Sequence, residues 1–122
     1  MATKQNTQAI SLVAAADLSA AQYHFVSINS SGLAALTGAG LQAAGVMQDN
    51  PIAGQVGAVD IAGVTKVEAA GAITIGARVA SNAAGEAVAA ASGNYALGTA
   101  MDTGADGRII SILLQPTGIV PA

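Results

Sequence analysis

The sequence predicts an all-β protein, a small barrel or sandwich of short antiparallel strands, and three observations lead to that class. Short runs of alternating apolar and polar residues recur between turn residues. Fifteen Gly rarely leave ten residues clear, whereas globular helices average about 11 to 12 residues. Finally, one stretch is written twice: Val26–Ile61 aligns with Val79–Leu114, without a gap, at an offset of 79 − 26 = 53. Nine of the 36 aligned pairs are identical, and they include Asn29/Asn82, Asp49/Asp102 and four of the six Gly of the first copy. We read this as an internal pseudo-two-fold repeat (26–61 and 79–114).

The matched residues are mostly turn formers. Asn29-Ser-Ser-Gly32 and Asn82-Ala-Ala-Gly85 place Asn first and Gly fourth, as a type I turn prefers, with the Asn side chain free to bond local backbone. Asp49 to Gly54 and Asp102 to Gly107 form a second matched pair of loops. Asn29, Gly32, Asp49, Gly54, Asn82, Gly85, Asp102 and Gly107 are therefore structural turn positions.

Taken in order, residues 1–8 are polar and aperiodic, an extended N-terminal arm that would take its order from a neighbour. Residues 9–115 form a single β domain. Ile10 to Ala16 alternates as a first strand, Asp17 to Gln22 connects, and Tyr23 to Asn29 follows with His24, Val26 and Ile28 on one face. Further strands are predicted at Leu33 to Thr37, Gln42 to Gln48, Gln55 to Ile61, Gly63 to Ala69 and Ile73 to Ile75. The second copy supplies Arg78 to Ser81, Glu86 to Ala90, Tyr95 to Met101 and Arg108 to Leu114. Pro116, Gly118 and Pro121 are expected to end regular structure, leaving 116–122 as a C-terminal tail.

Composition narrows function. Of the hydrophobic residues 30 are Ala, and there is no Trp, so each strand removes little apolar area from water and the core is expected to be thin. Self-association, or attachment to a larger surface, would supplement it. Four basic against seven acidic residues, scattered singly, form no cationic stripe, which disfavours nucleic acid. Absence of Cys removes disulfides, thiolate chemistry and Cys-based zinc sites. Polar residues interrupt every apolar run too often for a membrane span of about 20 residues, and no cleaved leader is expected at the N-terminus.

Individual motifs carry no chemistry. Gly38-Ala-Gly40-Leu-Gln-Ala43 matches a loose dinucleotide fingerprint, but Gly45 and Pro51 leave no room for the phosphate-binding helix. Asp102-Thr-Gly-Ala-Asp106-Gly107 begins like a calcium loop, yet its third and twelfth places are Gly104 and Leu113, so too few oxygens remain. His24 is the single His, and it reads as a partly buried side chain bonded to backbone or water. Lys66 and Glu68 read as a solvated pair on one strand face. No cofactor, metal or catalytic residue is expected, and an enzyme is disfavoured.

Four ordered segments resemble a known family: LVAAADLSAAQYHFVSINSSG (Leu12 to Gly32), AAGVMQDNPIAGQ (Ala43 to Gln55), AGVTKVEAAGAITIGARVASNAAGEAVAA (Ala62 to Ala90) and ALGTAMDTGADGRIISILL (Ala96 to Leu114). The family is that of capsid cement, or head decoration, proteins of tailed bacteriophages. The resemblance implies an all-β structural virion protein on the outer capsid surface that stabilises the shell against the pressure of packaged DNA. Its implied partners are the lattice of the major capsid protein and further copies of itself, as a trimer or a dimer. It implies no catalytic residues. Ala2, Thr3, Lys4, Gln5, Asn6, Thr7 and Gln8 are the capsid-contact candidates, since an extended arm can add its backbone to a sheet edge. The alternative reading is an adhesive or carbohydrate-binding β module of a phage fibre, for which the three aromatics are few.

Overall fold

A computed structural model describes residues 2–121. The strands are β1 (Gln5–Val13), β2 (Phe25–Ile28), β3 (Ala34–Leu36), β4 (Gly45–Met47), β5 (Val56–Glu68), β6 (Arg78–Ser81), β7 (Ala87–Ala89), β8 (Tyr95–Ala100) and β9 (Ile109–Ile119). No helix occurs among the described residues, and every ladder between named strands is antiparallel.

The chain repeats one five-strand unit, and β5 belongs to both copies. The first half of β5 pairs with β1 and β4, and its second half pairs with β9. The units run β1-β5-β4-β2-β3 and β5-β9-β8-β6-β7. Registers correspond residue by residue. Val26↔Leu36, Ser27↔Ala35 and Ile28↔Ala34 between β2 and β3 become Val79↔Ala89, Ala80↔Val88 and Ser81↔Ala87 between β6 and β7, each shifted by 53. Likewise Val46↔Asp60 and Met47↔Val59 become Thr99↔Leu113 and Ala100↔Ile112.

The repeat also reaches further back than the ungapped alignment. Val13↔Val56 and Ile10↔Val59 correspond to Glu68↔Ile109 and Thr65↔Ile112, with 68 − 13 = 55 on one strand and 109 − 56 = 53 on the other. Two extra residues in the connection between Leu18 and Tyr23 account for the change of offset, because the bond Leu18 N–H to Pro51 C=O recurs as Ile73 to Gly104. Each unit curls until its ends touch, at parallel bridges Ala14↔Ala34 and Ala69↔Ala87. The result is a pair of curled, partly closed barrels on one shared strand.

Two kinds of matched residue hold this geometry. In the first turn of each copy the Gly N–H donates to the Asn carbonyl, Gly32 to Asn29 at 3.0 Å and Gly85 to Asn82 at 3.1 Å, while the Asn Oδ1 accepts two further backbone N–H groups. In the second loop a carboxylate caps the start of the long strand: Asp49 Oδ2 accepts from Ala58 N–H at 2.8 Å, and Asp102 Oδ2 from Ser111 N–H at 2.9 Å. Gly54 and Gly107 close the same loops with N–H donated to Ala14 and Ala69. Gly45 and Gly98 serve differently. They lie where β4 and β8 cross the long strands, and a Cβ there would run into the carbonyl oxygen of Asp60 or Leu113.

Each barrel has a small core built from equivalent positions: Ala14, Leu18, Val26, Ala34, Met47 and Val59 in the first, Ala69, Ile73, Val79, Ala87, Ala100 and Ile112 in the second. Where the copies differ, they meet. Phe25, Val46 and Asp60 are cross-strand neighbours on the outer face of the first barrel, and all three are buried, with Phe25 and Val46 joining the core of the second. Their counterparts Arg78, Thr99 and Leu113 face outward. Strict alternation therefore fails in β2, where both Phe25 and Val26 are buried, each in a different core.

Several sequence expectations change. Regular structure runs through Pro116 to Ile119, because β9 faces β8 there across an irregularity between Ala96 and Gly98, where no ladder hydrogen bond from Pro116 is required. Gln55 to Ile61 and Gly63 to Ala69 are one strand, not two, since Gly63 adopts φ 92 as a kink within β5 rather than a break. Ile73 to Ile75 forms only a bridge to Gly104.

Two predictions follow from this packing. Phe25→Ala should cost about 3 to 4 kcal/mol in denaturant unfolding, because it empties a site between two cores, whereas Arg78→Ala at the equivalent exposed position should stay within about 0.5 kcal/mol. The N–H of Ser111 holds the Asp102 carboxyl below its ordinary value. A depressed pKa stabilises the fold above the unfolded value and loses that effect as pH falls through the folded one. Stability should thus hold from neutrality to about pH 4 and decline below it. Asp102→Ala should lose about 1 kcal/mol at pH 7 and show a shallower decline in acid.

Candidate functional site

The polar arm, expected to anchor on a neighbour's sheet, is ordered by its own chain. Thr3 N–H donates to Ser111 Oγ at 2.6 Å, and Ser111 Oγ donates to the Thr3 carbonyl at 3.3 Å. Gln5 to Gln8 open strand β1 against Val64 and Ala62 of β5. The reason is length. At thirteen residues β5 outruns the ordinary first strand, and the arm pairs the backbone groups that would otherwise be bare. The pairing slips twice between Gln5 and Ala9, Asn6 takes φ 49, and Gly63 leaves room for the Asn6 carbonyl. Side chains of Thr3, Lys4, Gln5, Asn6 and Gln8 stay exposed, while Ala2 and Thr7 are half-buried. Residues 1 and 122 lie outside the described part of the chain.

Beneath the arm lies a buried acid. Asp60, 1% exposed, accepts from the Thr65 hydroxyl at 2.7 Å and meets Lys4 Nζ at 3.2 Å, both on Oδ2. Gln48 Nε2 donates in turn to Thr65 Oγ1 at 3.0 Å. The Oδ1 atom has no hydrogen-bond partner among the described residues. The second copy carries Leu113 at this position, so the acid is a feature of the first copy alone. Its pairing ties the arm to the barrel.

A second polar group lies between the halves. His24 sits just before β2, Glu68 ends β5, and Glu86 follows the turn that leads into β7. The ligating atoms of the three lie within 4.8 Å of one another, and among the described residues they form the one group of three or more metal-ligating side chains. Nδ1 of the buried His24 is 2.8 Å from the Ala84 carbonyl, and Nε2 is 3.3 Å from Glu68 Oε1. Asn82 Nδ2 donates to Glu86 Oε1 at 3.1 Å. The neighbouring Tyr23 is in the left-handed region at φ 67, and Lys66 Nζ stands 6.0 Å from its ring centroid. The expected Lys66–Glu68 pair is thus replaced by separate partners. Sequence reading missed the cluster because 24, 68 and 86 share no spacing motif; only the fold brings them together.

The remaining motifs have local structural partners. No helix follows Gly38 to Ala43, where Gly40 N–H bonds instead to the Ser81 carbonyl. Asp102 is occupied by the backbone of Ser111. No cavity opens among the described residues that would enclose a small substrate. Surface apolar side chains, including Ile28, Leu41, Ile52, Val56 and Ile119, are dispersed over several elements.

The buried acid yields a prediction. Lys4→Met removes the cation from Asp60 and should lower unfolding free energy by about 2 kcal/mol, less than the 3 to 5 of a fully buried pair because Lys4 is partly solvated. Adding Asp60→Leu, the residue type that the second copy carries, should restore stability to within about 1 kcal/mol of the parent in the same urea titration.

Comparison with known proteins agrees with this geometry. The crystal structure of the N base of head fiber gp8.5 in bacteriophage phi29 is similar over 89% of this chain and 94% of that one, with a TM-score of 0.74 and 14% sequence identity. That degree of identity relates the folds alone. Among curated proteins none matches the sequence. The profile of the phage cement proteins matches residues 4–114. With nearly the whole double barrel inside that match, this chain belongs to the phage cement protein family, structural proteins that stabilise the capsid.

Proposed function

We propose that this protein binds the outer surface of the assembled capsid and seals contacts of the major capsid protein lattice against internal DNA pressure. The observation that carries the reading is the family match across residues 4–114. A cement works through many weak contacts, since engagement of several sites at once raises effective affinity without a single strong one. The molecule suits that mode. It has a double barrel with few charges, and acidic rather than basic excess, which favours a protein lattice over packaged nucleic acid as partner.

The contact is proposed to involve the arm, Ala2 to Gln8, and the strand it opens. One edge of β1 is taken by β5; no named strand pairs with the other edge among the described residues. Such an edge accepts an extended segment of a neighbour through main-chain hydrogen bonds. Copies are proposed to group as trimers on three-fold or local three-fold positions, so that each thin barrel core is supplemented by its neighbours.

A second reading draws on one observation, that the similar crystal structure is the base of a head fibre. Here the double barrel would be the capsid-seated foot of a longer assembly rather than a cover for the lattice. Mixing purified protein with expanded empty heads and with unexpanded precursors, followed by sedimentation and imaging, separates the two. Cementing predicts dense occupancy of expanded heads and greater resistance of those heads to disruption by heat. Sparse occupancy at special vertices with no gain in resistance would select the fibre foot, and absence of binding would refute both.

A further inference from the structure

We propose that His24, Glu68 and Glu86 bind a divalent cation of the imidazole-preferring class, zinc foremost, as a clip across the two barrels. The argument begins with the hydrogen-bonding capacity of the imidazole. The Ala84 carbonyl, 2.8 Å from Nδ1, can only accept, so Nδ1 carries the proton. In the neutral ring Nε2 is then a lone pair, and it faces a carboxylate oxygen of Glu68 at 3.3 Å. Two acceptors turned toward each other require a cation between them. A proton on Nε2 would satisfy that one contact. It would leave Glu86, whose carboxylate reaches the same small space, without a share of the charge.

A metal ion satisfies all three. Zinc bonds to imidazole nitrogen and carboxylate oxygen are about 2.0 to 2.2 Å long, which puts neighbouring ligand atoms of a tetrahedral shell about 3.3 Å apart. The Nε2 to Oε1 separation already has that value, and the other atoms need only a modest closure from within 4.8 Å. The supporting bonds are also those of a ligand set: Ala84 fixes the tautomer and ring of His24, and Asn82 Nδ2 orients Glu86. Calcium and magnesium, which seek six or more oxygens, are poorly served by one nitrogen and two carboxylates. The three side chains come from the first barrel, the shared strand and the second barrel, so the ion would add a bond to those already made there by Phe25, Val46 and the Gly40 N–H to Ser81 carbonyl contact. The position equivalent to His24 in the second copy is Ala77, which leaves one such site per chain.

His24 is the only His in the sequence, and this makes the test direct. Tag-free protein labelled with nitrogen-15 in His is stripped with chelator and titrated with zinc chloride at neutral pH. The expected result is saturation at one ion per chain, a shift of Nε2 to a metal-bound position while Nδ1 keeps its proton, and a thermal midpoint that rises and returns with EDTA. Glu86→Gln should weaken the affinity at least about tenfold. An imidazole that is doubly protonated at neutral pH and indifferent to zinc overturns the proposal, as does zinc uptake that leaves Nε2 unmoved. The wild-type spectrum decides the matter even if the variant misfolds.

Discussion

The fold depends on one long strand being shared end to end by two barrels. β5 completes the first barrel with its leading half and opens the second with its trailing half, so the second unit lacks a strand without the first. A thirteen-residue strand in a chain otherwise made of short pieces is the constraint from which the arm, the kink at Gly63 and the arrangement of the halves follow. Glycine enters at the crossings for the same reason. Strands wound this tightly approach backbone to backbone, and Gly45 and Gly98 are the points where no Cβ fits.

Much of this was legible in the residues. Turn chemistry identified the repeat, because Asn at the first place and Gly at the fourth are demanded by local geometry whatever surrounds them. All-β class, strand positions in both copies and the absence of a helix after Gly38 came from the same punctuation. Other features were hidden for physical reasons. Ile10 to Ala14 and Thr65 to Ala69 are equivalent in pairing, but two extra residues near Ser19 shift the offset and side chains there need only share apolarity, as Leu12 and Val67 do. Pro116 was misleading because a proline stops a strand only if its ladder needs that N–H. The polar cluster at His24 was invisible since tertiary contacts alone assemble it.

Divergence between the copies is concentrated where duplication created a new requirement. One line of neighbours across three strands reads Phe25, Val46, Asp60 in the first copy and Arg78, Thr99, Leu113 in the second. The former meets another barrel, the latter meets solvent. Burying Phe25 and Val46 contributes about 1.5 to 3 kcal/mol each, a large share for a chain in which nearly half of the apolar residues are Ala. Asp60 is the exception in that line. A buried carboxylate costs desolvation, and Lys4 and Thr65 offset it while fixing where the N-terminal segment lies.

The burial of Phe25 and Val46 against the second barrel also bears on synthesis. Every ladder of the first barrel is available once Val64 has left the ribosome, whereas most of the side chains that cover its outer face arrive later, with β6 to β9. A nascent chain of that length therefore displays an uncovered aromatic and a valine on an otherwise finished surface, the kind of surface on which incomplete polypeptides coalesce. Translation from Thr65 through β9 is thus a vulnerable interval, which closes when the second barrel covers what the first leaves open.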